Sequence, residues 1–135
     1  MDLTLVPKYA CVLAMGMIFL SIRVIRLRRA CKVAVGDGGQ AVLERAIRVH
    51  GNFCEYVPVI IVLLLVLEFQ GLQPALLQGL CLLLLAGRVA HAVGVSRTEE
   101  DYRFRVAGVA ATMTVLATAS LLILAGGILP AGLFG

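Results

Sequence analysis

Glu44, Arg45, Arg48, Asn52, Glu55 and Tyr56 stand close together in "ERAIRVHGNFCEYVPVIIVLLL", residues 44–65. If this stretch is helical, at about 100° per residue, Glu44, Arg48, Gly51 and Glu55 fall within roughly 60° of one another. Asn52, Arg45 and Tyr56 continue that side, so cations, a carboxylate, an amide and a phenol line one wall. His50 points to nearly the opposite side, and a helix with polar groups on two sides needs two partners: its own bundle and a neighbouring subunit. The mixture suits a zwitterionic ligand bearing carboxylates and an ammonium, since arginine meets carboxylates bidentately and Glu55 can take the ammonium. The plainer alternative makes Arg48 and Glu55 structural ion pairs that tie helices together. The wall runs without a loop into the charge-free residues 56–67, and ionisable groups at membrane depth mark a site by default.

The elements that position this wall follow from composition. The chain has 135 residues, 61% hydrophobic and 15% charged, with a mean hydropathy of +0.99. Soluble domains are about 45–50% apolar, so residues 1–135 are expected to form a single integral membrane domain. The net charge of +4 is positional: of the 12 Lys and Arg, only Lys8 lies outside residues 23–48 and 88–105. By the positive-inside rule both segments face the cytoplasm. These charges flank spans instead of coating one soluble face, which argues against a nucleic-acid partner.

A crossing helix needs about 20 apolar residues. Residues 3–22 supply a first span, retained and not cleaved, because the arginines follow the apolar stretch instead of preceding it. Residues 72–86 with their flanks supply another, and the charge-free residues 106–129 a further one. The stretch containing the polar wall must then also cross, since residues 56–67 alone are too short. Four spans put the two basic connections on one side, the neutral "QGLQP" turn (residues 70–74) on the other, and both termini outside. Pro58 frees the carbonyl of Cys54 inside that helix. "VGDGGQ" (residues 35–40) reads as a flexible turn, because a dinucleotide loop would need a preceding strand and a third glycine. Cys11, Cys31, Cys54 and Cys81 read as one per helix, without CxxC spacing, so no metal site and no disulfide framework is expected; Cys31 lies near the cytoplasmic surface.

The stretch "ERAIRVHGNFCEYVP" resembles the helix-two signature of the membrane-associated proteins in eicosanoid and glutathione metabolism, the MAPEG family, roughly E-R-x-x-R-x-x-x-N-x-x-E-x-x-P. Glu44, Arg45, Arg48, Asn52, Glu55 and Pro58 sit in register, as does Tyr56, which only some members share. "RLRRACKV" closing the first helix and "AGRVAH" ending the third extend the likeness, and small bacterial inner-membrane members carry a similar "VAVGDGG" loop. The resemblance implies an all-α bundle of four transmembrane helices in the bacterial inner membrane, with periplasmic termini. It also implies a homotrimer that holds glutathione as co-substrate between adjacent subunits, near the cytoplasmic face. By that likeness Arg48, Asn52, Glu55 and Tyr56 bind glutathione from one subunit, and Arg28 and His50 reach it from the neighbour. Arg105, or the adjacent Arg103, matches the arginine that stabilises the thiolate, and Arg29 matches a second arginine implicated in the chemistry.

The chain departs from the pattern late in helix three. Strongly conjugating members have tyrosines there, and this sequence has His91 and Val95. His91 can supply one hydrogen bond to the ligand, or bond a backbone carbonyl at the helix end; Val95 cannot bond either. The implied activity is transfer of glutathione to lipophilic electrophiles, or reduction of lipid hydroperoxides, without a metal. The alternative from another class is a non-catalytic lipid-binding or scaffold protein of the same fold.

Overall fold

Helices α1 (Val6–Cys31), α2 (Ala41–Phe69), α3 (Pro74–Ser96) and α4 (Tyr102–Ala125) carry the chain in a computed structural model that describes residues 4–96 and 102–125. Their lengths of 26, 29, 23 and 24 residues correspond to about 35–44 Å at 1.5 Å per residue. That exceeds the hydrocarbon core of about 30 Å, and all four helices are long and apolar enough to cross a membrane. Residue 3 of the expected first span, residues 126–129 of the expected fourth, and the charges Arg97, Glu99, Glu100 and Asp101 lie outside the described residues.

The expected spans are correct in place but short at their ends. α1 does not stop at residue 22; it continues through all four of its arginines, which are good helix formers, to a cap at Lys32. There the backbone turns left-handed (φ 56°) and the Lys32 N–H bonds the carbonyls of Arg28 and Arg29. Cys11 and Cys31 therefore share α1, Cys54 and Cys81 lie on α2 and α3, and the described part of α4 carries no cysteine, which corrects the expectation of one per helix. α3 likewise runs past residue 86 to Ser96, so Arg88, grouped by charge with the basic connection, lies inside the helix, and His91 lies late in it as expected.

α2 and α3 are the central pair, each packed against the other three helices. α2 supplies the longest apolar stripe. Its buried residues Val49, Phe53, Val57, Ile60, Leu64 and Leu67 recur every three or four positions, one apolar stripe of an amphipathic helix. Leu13 and Leu20 of α1, Leu77 and Leu84 of α3, and Val115 and Ala119 of α4 complete the core. α3 and α4 approach most closely through glycine. A Cβ on Gly108 would lie 2.6 Å from the backbone nitrogen of His91 and 2.7 Å from the carbonyl of Gly87, so the helices meet backbone to backbone, the small-residue packing of membrane helices.

Glu68 ties the ends of two spans together. Its carboxylate accepts the N–H groups of Thr4 (2.8 Å), Leu5 (2.6 Å) and Val6 (3.0 Å), donors that the first turn of α1 cannot satisfy internally. The negative charge also meets the positive end of the helix. At the other end of α1, the glycine-rich connection folds onto Arg28, whose guanidinium donates to the carbonyls of Ala34 (3.3 Å) and Gly36 (2.7 Å).

Candidate functional site

The polar wall of α2 faces a cavity of about 420 Å³ between α2, α3 and α4. Arg48, Asn52, Glu55 and Tyr56 line it from α2, His91 and Val95 from α3, and Arg105 from α4, with Ile47 and Gly51 between the polar groups. Arg48, Asn52, Glu55 and Tyr56, expected from spacing, thus share one space with His91 and Arg105, expected from the family resemblance, whereas Glu44 and Arg45 of the same wall do not line it. Counting back about 20 residues from Phe69, the span needed to cross the core, puts Asn52 and Glu55 inside the membrane and Arg48 at its edge. Arg48, Glu55 and Arg105 are exposed in the single chain, whereas His91 and Val95 are buried. The cavity therefore has a closed inner wall and a charged outer rim.

Arg88 supports the inner wall and is the functional residue that spacing did not single out. It is 4% exposed. Its guanidinium donates to Asn52 Oδ1 (2.8 Å), to the carbonyl of Gly108 (3.4 Å) and to Thr112 Oγ1, which itself donates to the Gly108 carbonyl (2.8 Å). These acceptors are neutral, and Nε of Arg88 has no partner among the described residues. The cation joins α2, α3 and α4 just behind the cavity. It also fixes the chemistry of Asn52: with Oδ1 engaged, the amide NH₂ is left to donate into the cavity, toward a carbonyl or carboxylate. An arginine within an apolar span was the available signal.

Other expected residues stand elsewhere in the chain. His50 lies on the opposite side of α2, its Nε2 2.9 Å from Ser21 Oγ on α1. The Ser21 hydroxyl donates to the carbonyl of Met17 (2.9 Å), so Nε2–H of His50 is the donor to Ser21. Cys54 Sγ rests 3.7 Å from the same nitrogen. Arg28 is folded onto the α1–α2 connection, and Arg29 is exposed at the end of α1. Arg28, Arg29 and His50 do not line the cavity of their own chain. Arg103, the alternative to Arg105, is exposed on the first turn of α4 and does not line it either.

This arrangement can hold a small zwitterion. Arg48 and Arg105 present bidentate donors, Asn52 a neutral donor, Glu55 an acceptor for an ammonium, and Tyr56 and His91 further hydrogen bonds. Its volume falls within the range of about 300–1,000 Å³ usual for small-molecule sites. Among proteins of known sequence, the MAPEG family model matches residues 6–126. The inner membrane protein YecN of Escherichia coli strain K12 is 40% identical over 108 residues, covering 80% of this chain and 81% of that protein, and YecN of strain O6:H1 matches equally.

Proposed function

The chain belongs to the MAPEG family of membrane proteins, and from that premise we propose that it is a trimeric glutathione-dependent enzyme of the bacterial inner membrane. It transfers glutathione to lipophilic electrophiles or reduces lipid hydroperoxides. The observation that carries this reading is the convergence of Arg48, Asn52, Glu55, Tyr56, His91 and Arg105 on one cavity. The arginines and the Asn52 amide take the carboxylates of glutathione, and Glu55 its ammonium. The trimer accounts for charges exposed at membrane depth in a single chain: a neighbour covers the rim and brings Arg28 and His50 toward the ligand.

The chemistry follows from the thiol. The thiolate is the nucleophile, and a nearby cation lowers the thiol pKa. Arg105 sits on the first turn of α4, where the positive end of the helix adds to its charge. In conjugation the thiolate forms a C–S bond to the electrophilic carbon and the leaving group departs with the electron pair. In peroxide reduction the thiolate takes the distal oxygen and the alcohol leaves; a second glutathione then yields the disulfide and water. The apolar co-substrate arrives from the lipid.

The second reading is a lipid-binding or scaffold protein, favoured by Val95, an apolar side chain lining the cavity where strongly conjugating relatives place a tyrosine. Purified protein mixed with glutathione separates the two. Thiolate absorbance together with conjugation of an aryl halide supports the enzyme. Binding without either supports the scaffold, and no binding of glutathione defeats the proposal.

A further inference from the structure

The opposite face of the bundle carries a second groove, which shares no residue with the glutathione cavity. An apolar trough of about 230 Å³ runs between α1 and α3, with Val12, Gly16 and Phe19 on one side, Val89 and Val93 on the other, and Phe53 and Arg88 at its floor. At Phe19 it meets a second hollow of about 370 Å³, where Ile22, Leu27 and Val42 surround Arg23 and Arg26. Phe19 lines both, so the two hollows adjoin along α1, the first apolar and the second carrying two arginines. The trough's rim is open: Phe19 is 68% exposed and Val89 57%.

The dimensions match a membrane lipid. Val12 and Arg26 are about 21 Å apart along a helix rising 1.5 Å per residue, somewhat more than one leaflet of a hydrocarbon core about 30 Å thick. The cations therefore stand at headgroup level when the trough lies at acyl-chain depth. Arg23 is held at the mouth by its hydrogen bond to Ser96 Oγ at the end of α3, and Arg26 is exposed beside it. Ser21, which bonds His50, lies two residues and about 200° round α1 from Phe19. The groove is therefore on the side of α1 turned away from His50, and away from the neighbouring subunit that the proposed trimer places there.

We propose that this groove is a binding site for an anionic phospholipid, with the headgroup phosphate on Arg23 and Arg26 and one acyl chain in the trough over Gly16. Basic pockets between transmembrane helices recognise such headgroups. The groove shares no lining residue with the glutathione cavity, although Arg88 at its floor bonds Asn52, and its openness to lipid rests on the proposed trimer.

The test is native mass spectrometry of the purified full-length protein in neutral detergent, titrated with dioleoyl phosphatidylglycerol or dioleoyl phosphatidylcholine. One phosphatidylglycerol per chain should be retained, at least tenfold more tightly than phosphatidylcholine. Arg26→Gln, which removes an exposed side chain, should weaken phosphatidylglycerol about fivefold, and Arg23→Gln with Arg26→Gln about thirtyfold. A Cβ at Gly16 would sit 3.9 Å from the Phe53 ring, so Gly16→Leu fits the backbone yet fills the trough, and should weaken both lipids. Equal retention of the two lipids, indifference to the arginine variants, or displacement by millimolar inorganic phosphate alone would overturn the proposal. So would a changed subunit number in Gly16→Leu, which would mark the groove as a protein contact.

Discussion

Asn52 is held from behind by Arg88, and that bond decides which half of its amide meets a ligand. Asn52→Asp keeps an acceptor for Arg88 and makes the bond charge-assisted, but presents an acceptor where the cavity had a donor. Thermal stability should hold or rise while glutathione affinity falls about tenfold or more, a hydrogen bond to a charged group contributing roughly 1.5–3 kcal/mol. Calorimetric titration beside a melting curve checks both; unchanged affinity would remove Asn52 from the ligand's partners. Glu55→Gln should likewise weaken binding about tenfold with the oligomer intact, whereas loss of assembly with normal binding in the residual oligomer would make Glu55 a structural ion-pair partner. Arg105→Leu should spare affinity and slow conjugation at neutral pH, with the rate partly restored as pH rises and the thiol ionises unaided. If Arg103→Leu alone has that effect, the role belongs to Arg103. The register of Arg48, Asn52, Glu55 and Tyr56 was legible in the sequence because helical geometry is local. Arg88 was not, because its role depends on Gly108 and Thr112, which are remote in sequence.

At the scale of helices, hydropathy located three of the four spans, since burial in lipid depends on composition summed over about 20 residues, and the charge pattern of the connections supplied the second. Their ends were less legible. Arginine at a membrane edge reads as the end of a span, yet it favours helix, so α1 continues to Cys31. The tight contact of α3 and α4 was hidden too, because single glycines mark packing only when their partners are known. That contact yields a prediction. Gly108→Ala pushes a methyl group against the His91 nitrogen, the Gly87 carbonyl and the His91 Cβ at 2.6–2.7 Å, and backbone atoms cannot rotate away. Overpacking of this kind costs about 1–3 kcal/mol. The thermal midpoint should drop by several degrees, and because His91 lines the cavity, glutathione affinity should drop with it. Gly79→Ala meets nothing within 4 Å and should be neutral or slightly stabilising, since alanine is the better helix residue. If the two variants melt alike, the α3–α4 contact is looser than its glycines imply.

The whole molecule has two unlike ends. At one end α1 carries Arg23, Arg26, Arg28 and Arg29, the Gly-rich connection wraps Arg28, and the cavity's Arg48 and Arg105 stand nearby in sequence to the connections. At the other end the turn at residues 70–73 has no charge, and Glu68 binds the first N–H groups of α1. Glu68 adds little to the argument about orientation, because acidic residues contribute weakly to topology while Lys and Arg near span ends dominate it. By the positive-inside rule we propose that the arginine-rich end faces the cytoplasm, which with four spans puts both termini on the far side. A periplasmic reporter such as alkaline phosphatase fused after Phe134 should be active, and a cytoplasmic reporter at the same position silent. Fused within residues 35–40, on the basic connection, the two should exchange behaviour. A cytoplasmic signal at Phe134 together with a periplasmic one at residues 35–40 would invert the molecule and place the cavity's charged rim at the wrong face for cytoplasmic glutathione. Cytoplasmic signals at both positions would break the four-span order itself.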